Sequence, residues 1–126
     1  MPMAKIDLFG HFDNPVHFKQ GDVLLTEGAP GRDMYALQEG AVEIRAGETL
    51  LSTLGPGDFF GEMALIDEHN RSGSVVASTD GKMVPITKER FMFLVQNHPF
   101  FALEVMRILV ERLRAMNRLV AQTKTA

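Results

Sequence analysis

The sequence contains no cysteine. That absence excludes disulfides, iron–sulfur ligation and thiol catalysis together, and it is compatible with a reducing cytoplasm. No run of about 18 apolar residues is present that could span a bilayer, and the N-terminal MPMAKIDLFG lacks the apolar stretch of a signal peptide. No membrane partner is therefore expected, and the cytoplasm is the expected location. Positive charge is not in excess either: the formal net charge is -3, which gives no electrostatic reason to expect DNA or RNA. The four histidines, His11, His17, His69 and His98, are scattered and match no metal-ligand spacing. No Ser–His–Asp set or paired carboxylates argue for catalysis. A binding protein with no metal and no cofactor is expected, not an enzyme.

What is present fits one domain spanning residues 1–126, with an ordinary hydrophobic fraction of 45% and charged fraction of 23%. The chain changes character near residue 88. Glycines punctuate short apolar runs up to Gly81, and none follows it. Short β-rich runs between Gly, Pro and Asp turns predict a small antiparallel roll over about 16–87. Strands are expected near 16–19, 22–26, 33–38, 41–46, 49–54, 74–79 and 82–87. From Lys88 the pattern turns helical, with Thr87 as a candidate cap for a helix over about 88–97. Asn97-His98-Pro99 breaks that helix, and Pro99 suits the first turn of a longer one over about 99–121.

The long helix carries two adjacent apolar stripes. Leu103, Met106, Val110, Leu113, Asn117 and Val120 form one; Val105, Leu109, Arg112, Met116 and Leu119 form the other. One stripe suffices to pack the helix on the roll. The second asks for a partner, and a second copy of the chain, with Asn117 setting register, is the simple candidate. A single broad buried face is the alternative.

The segment Phe60–Val75, FGEMALIDEHNRSGSV, concentrates the chemistry. Phe60–Leu65 follows the turn Gly55-Pro56-Gly57-Asp58 and reads as a short helical turn with Gly61 at its mouth. A helix start aims unpaired N–H groups outward and favours an anion, and Gly61 and Ala64 permit close approach. Arg71 offers a fork of donors that matches two phosphate oxygens at once. Ser72, Gly73 and Ser74 behind it are small and partly hydroxyl-bearing. Glu62 can accept a hydrogen bond from a sugar hydroxyl. Taken singly, Glu62 could be a first-turn carboxylate and Arg71 a surface partner of Asp67 or Glu68.

Together these residues resemble the phosphate-binding cassette of the cyclic nucleotide-binding domain family, whose pattern is F-G-E-x-A-L followed after a short loop by R-x-A-x-V. Upstream, Phe18-Lys19-Gln20-Gly21-Asp22, Glu27-Gly28, Asp33-Met34-Tyr35, Gly40-Ala41-Val42 and Gly57-Asp58-Phe59-Phe60 match as well. The resemblance implies a mainly β fold: an eight-stranded antiparallel β-roll of jelly-roll type, a short cassette helix and two C-terminal helices. The ligand implied is cAMP, with cGMP as the alternative. Glu62 would hold the ribose 2′-hydroxyl, and Arg71 with the backbone of Ala64 and Ser72 would hold the cyclic phosphate. Gly61 would stand beside the ribose, with Met63 and Ser74 completing the cassette. Ile44 and Leu51 would line the base pocket, bordered by Ser52. Arg112, Met116 and Asn117 fall where the last helix lies over the base.

Two departures bear on function. Gly73 stands where alanine is usual. Ser72 stands where cAMP-selective kinase domains carry alanine and cGMP-selective ones threonine, which leaves selectivity open. The last helix is similar to that of bacterial Crp-type regulators, yet the sequence stops where their helix-turn-helix would begin. A stand-alone sensory or regulatory module is expected, acting on an effector the sequence does not name. A ligand-independent dimerising scaffold is the alternative.

Overall fold

The computed structural model describes residues 14–67 and 70–124. Of the residues singled out above, His11, Glu68 and His69 lie outside that range. The described residues form eight strands and three helices. Strands β1 (Val16–Phe18), β8 (Gly81–Ile86), β3 (Met34–Glu39) and β6 (Phe59–Phe60) make one antiparallel sheet in that order. Strands β2 (Val23–Leu25), β7 (Ser74–Ala77), β4 (Val42–Ala46) and β5 (Thr49–Leu54) make the other. The helices are α1 (Glu62–Asp67), α2 (Lys88–Asn97) and α3 (Pro99–Lys124). The eight-stranded roll with a cassette helix and two C-terminal helices is thus observed. None of the helices is long and apolar enough to cross a membrane.

Alternation along β3 divides the core in two. Met34 and Ala36 point to one side, where Phe59, Leu65, Ile86, Leu94, Phe101, Val105 and Ile108 meet them, so this side receives the helices. Leu37 faces the roll interior with Phe18, Leu25, Val42, Leu54, Phe60, Val75, Ala77 and Met83. Strand β6 is only two residues long and was absent from the sequence-derived strands, because no alternation can be counted over two residues. Its pairing, Tyr35 with Phe60 and Ala36 with Phe59, comes from β3. Phe59 is buried in the helix-side core and Phe60 in the roll interior, where it stacks on Tyr35.

The helix boundaries follow local chemistry. Thr87 caps α2, its hydroxyl accepting from the Arg90 N–H at 3.1 Å. His98, with φ -137° and ψ 86°, has left the α region that a residue preceding proline avoids. Pro99 then opens α3, which continues to Lys124, a few residues beyond the end expected from the pattern. On α3 the residues Phe101, Val105 and Ile108 are buried, whereas Leu103, Met106, Val110, Leu113 and Val120 are exposed. Two apolar faces exist, and one of them packs on the roll.

Gly81 begins β8 opposite Phe18, beside an irregularity in the β3–β8 register. A Cβ at this position would lie 2.7 Å from Phe18 Cζ and closer still to the Glu39 carbonyl oxygen. The backbone oxygen cannot swing aside as a side-chain end can. Gly81→Ala is therefore expected to lower unfolding stability by about 1–3 kcal/mol. A urea titration should show an earlier midpoint with an unchanged slope; an unchanged midpoint would mean the strand end yields freely.

Candidate functional site

The site forms where the β6–α1 junction, the start of β7 and the loop after β2 converge. Gly61 stands between β6 and α1 with φ +82°, a conformation that a side chain would strain. This turn lets the buried Phe60 be followed at once by a helix whose first residue is Glu62. Beside it lies an open pocket lined by Leu25, Ile44, Phe60, Gly61, Glu62, Met63, Ala64, Arg71, Ser72, Gly73 and Val75. One wall is polar and belongs to the cassette; the other is apolar and belongs to β2, β4 and β7.

Arg71 is the buried charge of this pocket, with 8% of its surface exposed. Its Nη1 donates to the Gly61 carbonyl at 3.0 Å and its Nη2 to the Asp33 carbonyl at 2.9 Å. The backbone is gripped as well: Gly28 N donates to Arg71 O, and Arg71 N donates to Ala29 O, both at 2.8 Å. Among the described residues no carboxylate pairs with its guanidinium. Carbonyl dipoles orient the cation without neutralising it, and a buried cation left in that state attracts an anion.

Glu62 is handled differently. Its Oε1 receives Arg112 Nη1 at 3.3 Å, across 50 positions of sequence. The same guanidinium donates through Nη2 to the Phe59 carbonyl and lies 4.7 Å above the centre of the Phe59 ring. Arg112 thus reaches the pocket's carboxylate from the helix side and does not line the pocket. Ser72 is exposed, and its hydroxyl donates to Met63 Sδ at 3.4 Å.

Of the sequence-derived site residues, Gly61, Glu62, Met63, Ala64, Arg71, Ser72 and Ile44 come together in the pocket lining. Leu51, Ser74, Arg112, Met116 and Asn117 do not. Leu51 is half-buried on β5. The Ser74 hydroxyl accepts the Glu27 N–H at 2.9 Å, while the Glu27 carboxylate accepts the Gly47 N–H at 2.8 Å. This chain of contacts ties the β4–β5 turn to the start of β7. Met116 and Asn117 are exposed on α3. Gly73 takes part through space alone: a Cβ there would come within 2.7 Å of the Arg45 carbonyl oxygen. The carbonyl of Asp33 and the backbone of Gly28 and Ala29 were missing from the sequence-derived site, since backbone acceptors carry no residue signature. Among the described residues, no group of three or more metal-binding side chains occurs.

Known proteins resemble this chain in sequence and in fold. The family model for the cyclic nucleotide-binding domain matches residues 15–98. A CRP-like cAMP-activated global transcriptional regulator of Mycobacterium tuberculosis is 32% identical over 112 residues, covering 85% of this chain and 50% of that protein. The chain therefore spans about half the length of that relative. The catabolite activator protein of Thermus thermophilus superposes with a TM-score of 0.76 at 29% identity, over 88% of this chain and 55% of that one. A structure solved in work on a cyclic-GMP-dependent pathway of bacterial phytopathogenesis superposes with a TM-score of 0.74 at 30% identity, over 90% and 95% of the two chains.

Truncating Arg112 would leave a largely buried Glu62 carboxylate without its partner. Arg112→Ala is expected to cost about 1–3 kcal/mol of stability, and clearly less in a Glu62→Gln background, since contacting residues couple. Denaturant titration of the four proteins measures this. Equal costs in both backgrounds would mean that the pair does not act as a unit.

Proposed function

The chain belongs to the cyclic nucleotide-binding domain family, and from that premise we propose that it binds a cyclic nucleotide, cAMP ahead of cGMP, as a regulatory module acting in the cytoplasm. The observation that carries this reading is Arg71: a buried guanidinium aimed by two carbonyls and neutralised by no carboxylate among the described residues. A cyclic phosphate supplies the missing negative charge. Glu62, at the adjacent start of α1, is available to the ribose hydroxyl, and Ile44, Leu25 and Val75 offer the apolar wall for a base. The mycobacterial relative, named as cAMP-activated, supports cAMP. The neighbour from cyclic-GMP work keeps cGMP as the second candidate.

The route to an effector runs through Arg112. A ligand hydroxyl on Glu62 competes with or reshapes the Glu62–Arg112 pair, and Arg112 also holds the Phe59 carbonyl. Binding would shift α3 between two positions, with Met116 and Asn117 brought toward the base in the closed one. An effector touching α3 would read that shift.

A second reading concerns assembly. The exposed apolar face of α3, with Leu113 at 60% exposure among its members, supports a homodimer through this helix. A scaffold that dimerises without responding to nucleotide is the alternative function. It differs in one result: its sedimentation is the same with and without cAMP, and its melting temperature does not move.

Protein shown to start ligand-free should gain about 2.7 kcal/mol at a cAMP concentration 100 times the dissociation constant, read as a melting temperature roughly 10 °C higher. No shift with any cyclic mononucleotide would overturn the binding proposal. Arg71→Ala should weaken binding by about 100-fold or more, because charge-assisted contacts are the stronger hydrogen bonds; calorimetry checks this. In sedimentation, Leu103→Lys combined with Leu113→Lys should leave a folded monomer, and a persistent dimer would place the interface elsewhere.

A further inference from the structure

Gly31 lies in the loop between β2 and β3, and its backbone is outside the left-handed region. The local chain path therefore does not call for glycine. The space does. A Cβ on Gly31 would stand 2.5 Å from Arg71 Nη2 and closer still to Nε and Cζ. Comparable closeness to the central carbon and two nitrogens puts that virtual atom over the flat face of the guanidinium, not at its edge. The Arg71 group lies face-down on a bare Cα.

We propose that Gly31 is a positioning residue of the anion site. By presenting no side chain, it lets the Arg71 guanidinium lie where the carbonyls of Gly61 and Asp33 can both receive it. The remaining N–H donors are then left for the ligand's phosphate. The proposal rests on Arg71 being the phosphate-binding group.

The same loop holds Arg71 in three further ways. Gly28 donates to the Arg71 carbonyl, Ala29 accepts the Arg71 N–H, and Asp33 receives its Nη2. Gly31 stands in the middle of these contacts. Gly61 closes the opposite side, where a Cβ would come within 3.0 Å of Arg71 Nη1. The three atoms nearest a methyl group at 31 all belong to the guanidinium, so that group is the one it would displace. Raising that group by the distance a methyl requires would lengthen both carbonyl contacts out of hydrogen-bonding geometry, which weakens steeply with distance and angle. Arg71 would keep its charge and lose its aim.

A double-mutant cycle tests this, with calorimetric affinity for cAMP as the first readout. Lysine keeps the positive charge but has a compact head with no planar face, so Arg71→Lys removes what Gly31 accommodates. Gly31→Ala is expected to weaken cAMP binding at least about tenfold with arginine at 71, and less than about twofold with lysine there. Equal losses in the two backgrounds, or no loss with arginine, would overturn the proposal. The second readout is the denaturation midpoint of the same four proteins without ligand. Gly31→Ala should lower it with arginine at 71 and leave it nearly unchanged with lysine. This arm decides the matter if the lysine proteins bind too weakly to titrate. It also decides if the unsubstituted protein binds no cyclic nucleotide, which would defeat the functional reading alone. A midpoint lowered equally in both backgrounds would make Gly31 a merely structural glycine.

Discussion

A guanidinium does not lose its proton inside a protein, so a fold that buries one must bring acceptors to it. Arg71 imposes that requirement here. It stands just before β7, and its acceptors come from Asp33, at the approach to β3, and from Gly61, at the mouth of α1. The loop after β2 closes on its backbone through Gly28 and Ala29. Segments distant in sequence are thereby drawn to one point, and the opening between them is the pocket. Glycine at 31 and 61 follows from the same requirement, since each faces the guanidinium where a side chain would intrude.

Next to this point the chain turns through three environments in four residues. Phe59 enters the core shared with the helices, Phe60 enters the roll interior, Gly61 turns, and Glu62 begins α1 at the pocket. Alternation along a strand normally separates an inner face from a solvated one. On β6 both faces are covered, so the strand connects the two halves of the core. Arg112 uses that connection: it stacks on Phe59, donates to its carbonyl and pairs with Glu62. The last helix therefore shares a residue's worth of contacts with the pocket wall. Glu62 and α3 are thereby joined by a direct side-chain contact.

Much of this fold was legible in the chain. Gly40 between β3 and β4, Pro56-Gly57 before β6, and Thr87 and Pro99 at the helix starts act through local rules that need no knowledge of distant residues. The cassette was legible for a related reason. Its glycine, carboxylate, small residues and arginine are crowded into one short stretch, and the fold gathers them in one pocket lining. Strand β6 was not legible, because two phenylalanines between a turn and a helix give no period to count. Ser74 shows a use that the chain did not signal: its hydroxyl accepts the N–H of Glu27, a residue far from it in sequence.

The arginine, the carboxylate and the two apolar stripes of α3 were therefore determined by the sequence, since each depends on residue type and spacing along one element. Only the tertiary structure decided how they are used. It assigned Asp33 and Gly61 carbonyls to Arg71, turned Arg112 back onto Glu62 and Phe59, and left the Leu103–Val120 stripe outward while Phe101, Val105 and Ile108 packed inward. The reason is physical. Carbonyl oxygens are the same in every residue, and the space above a glycine Cα has no letter in the sequence. Both acquire meaning only when folding brings a particular side chain against them.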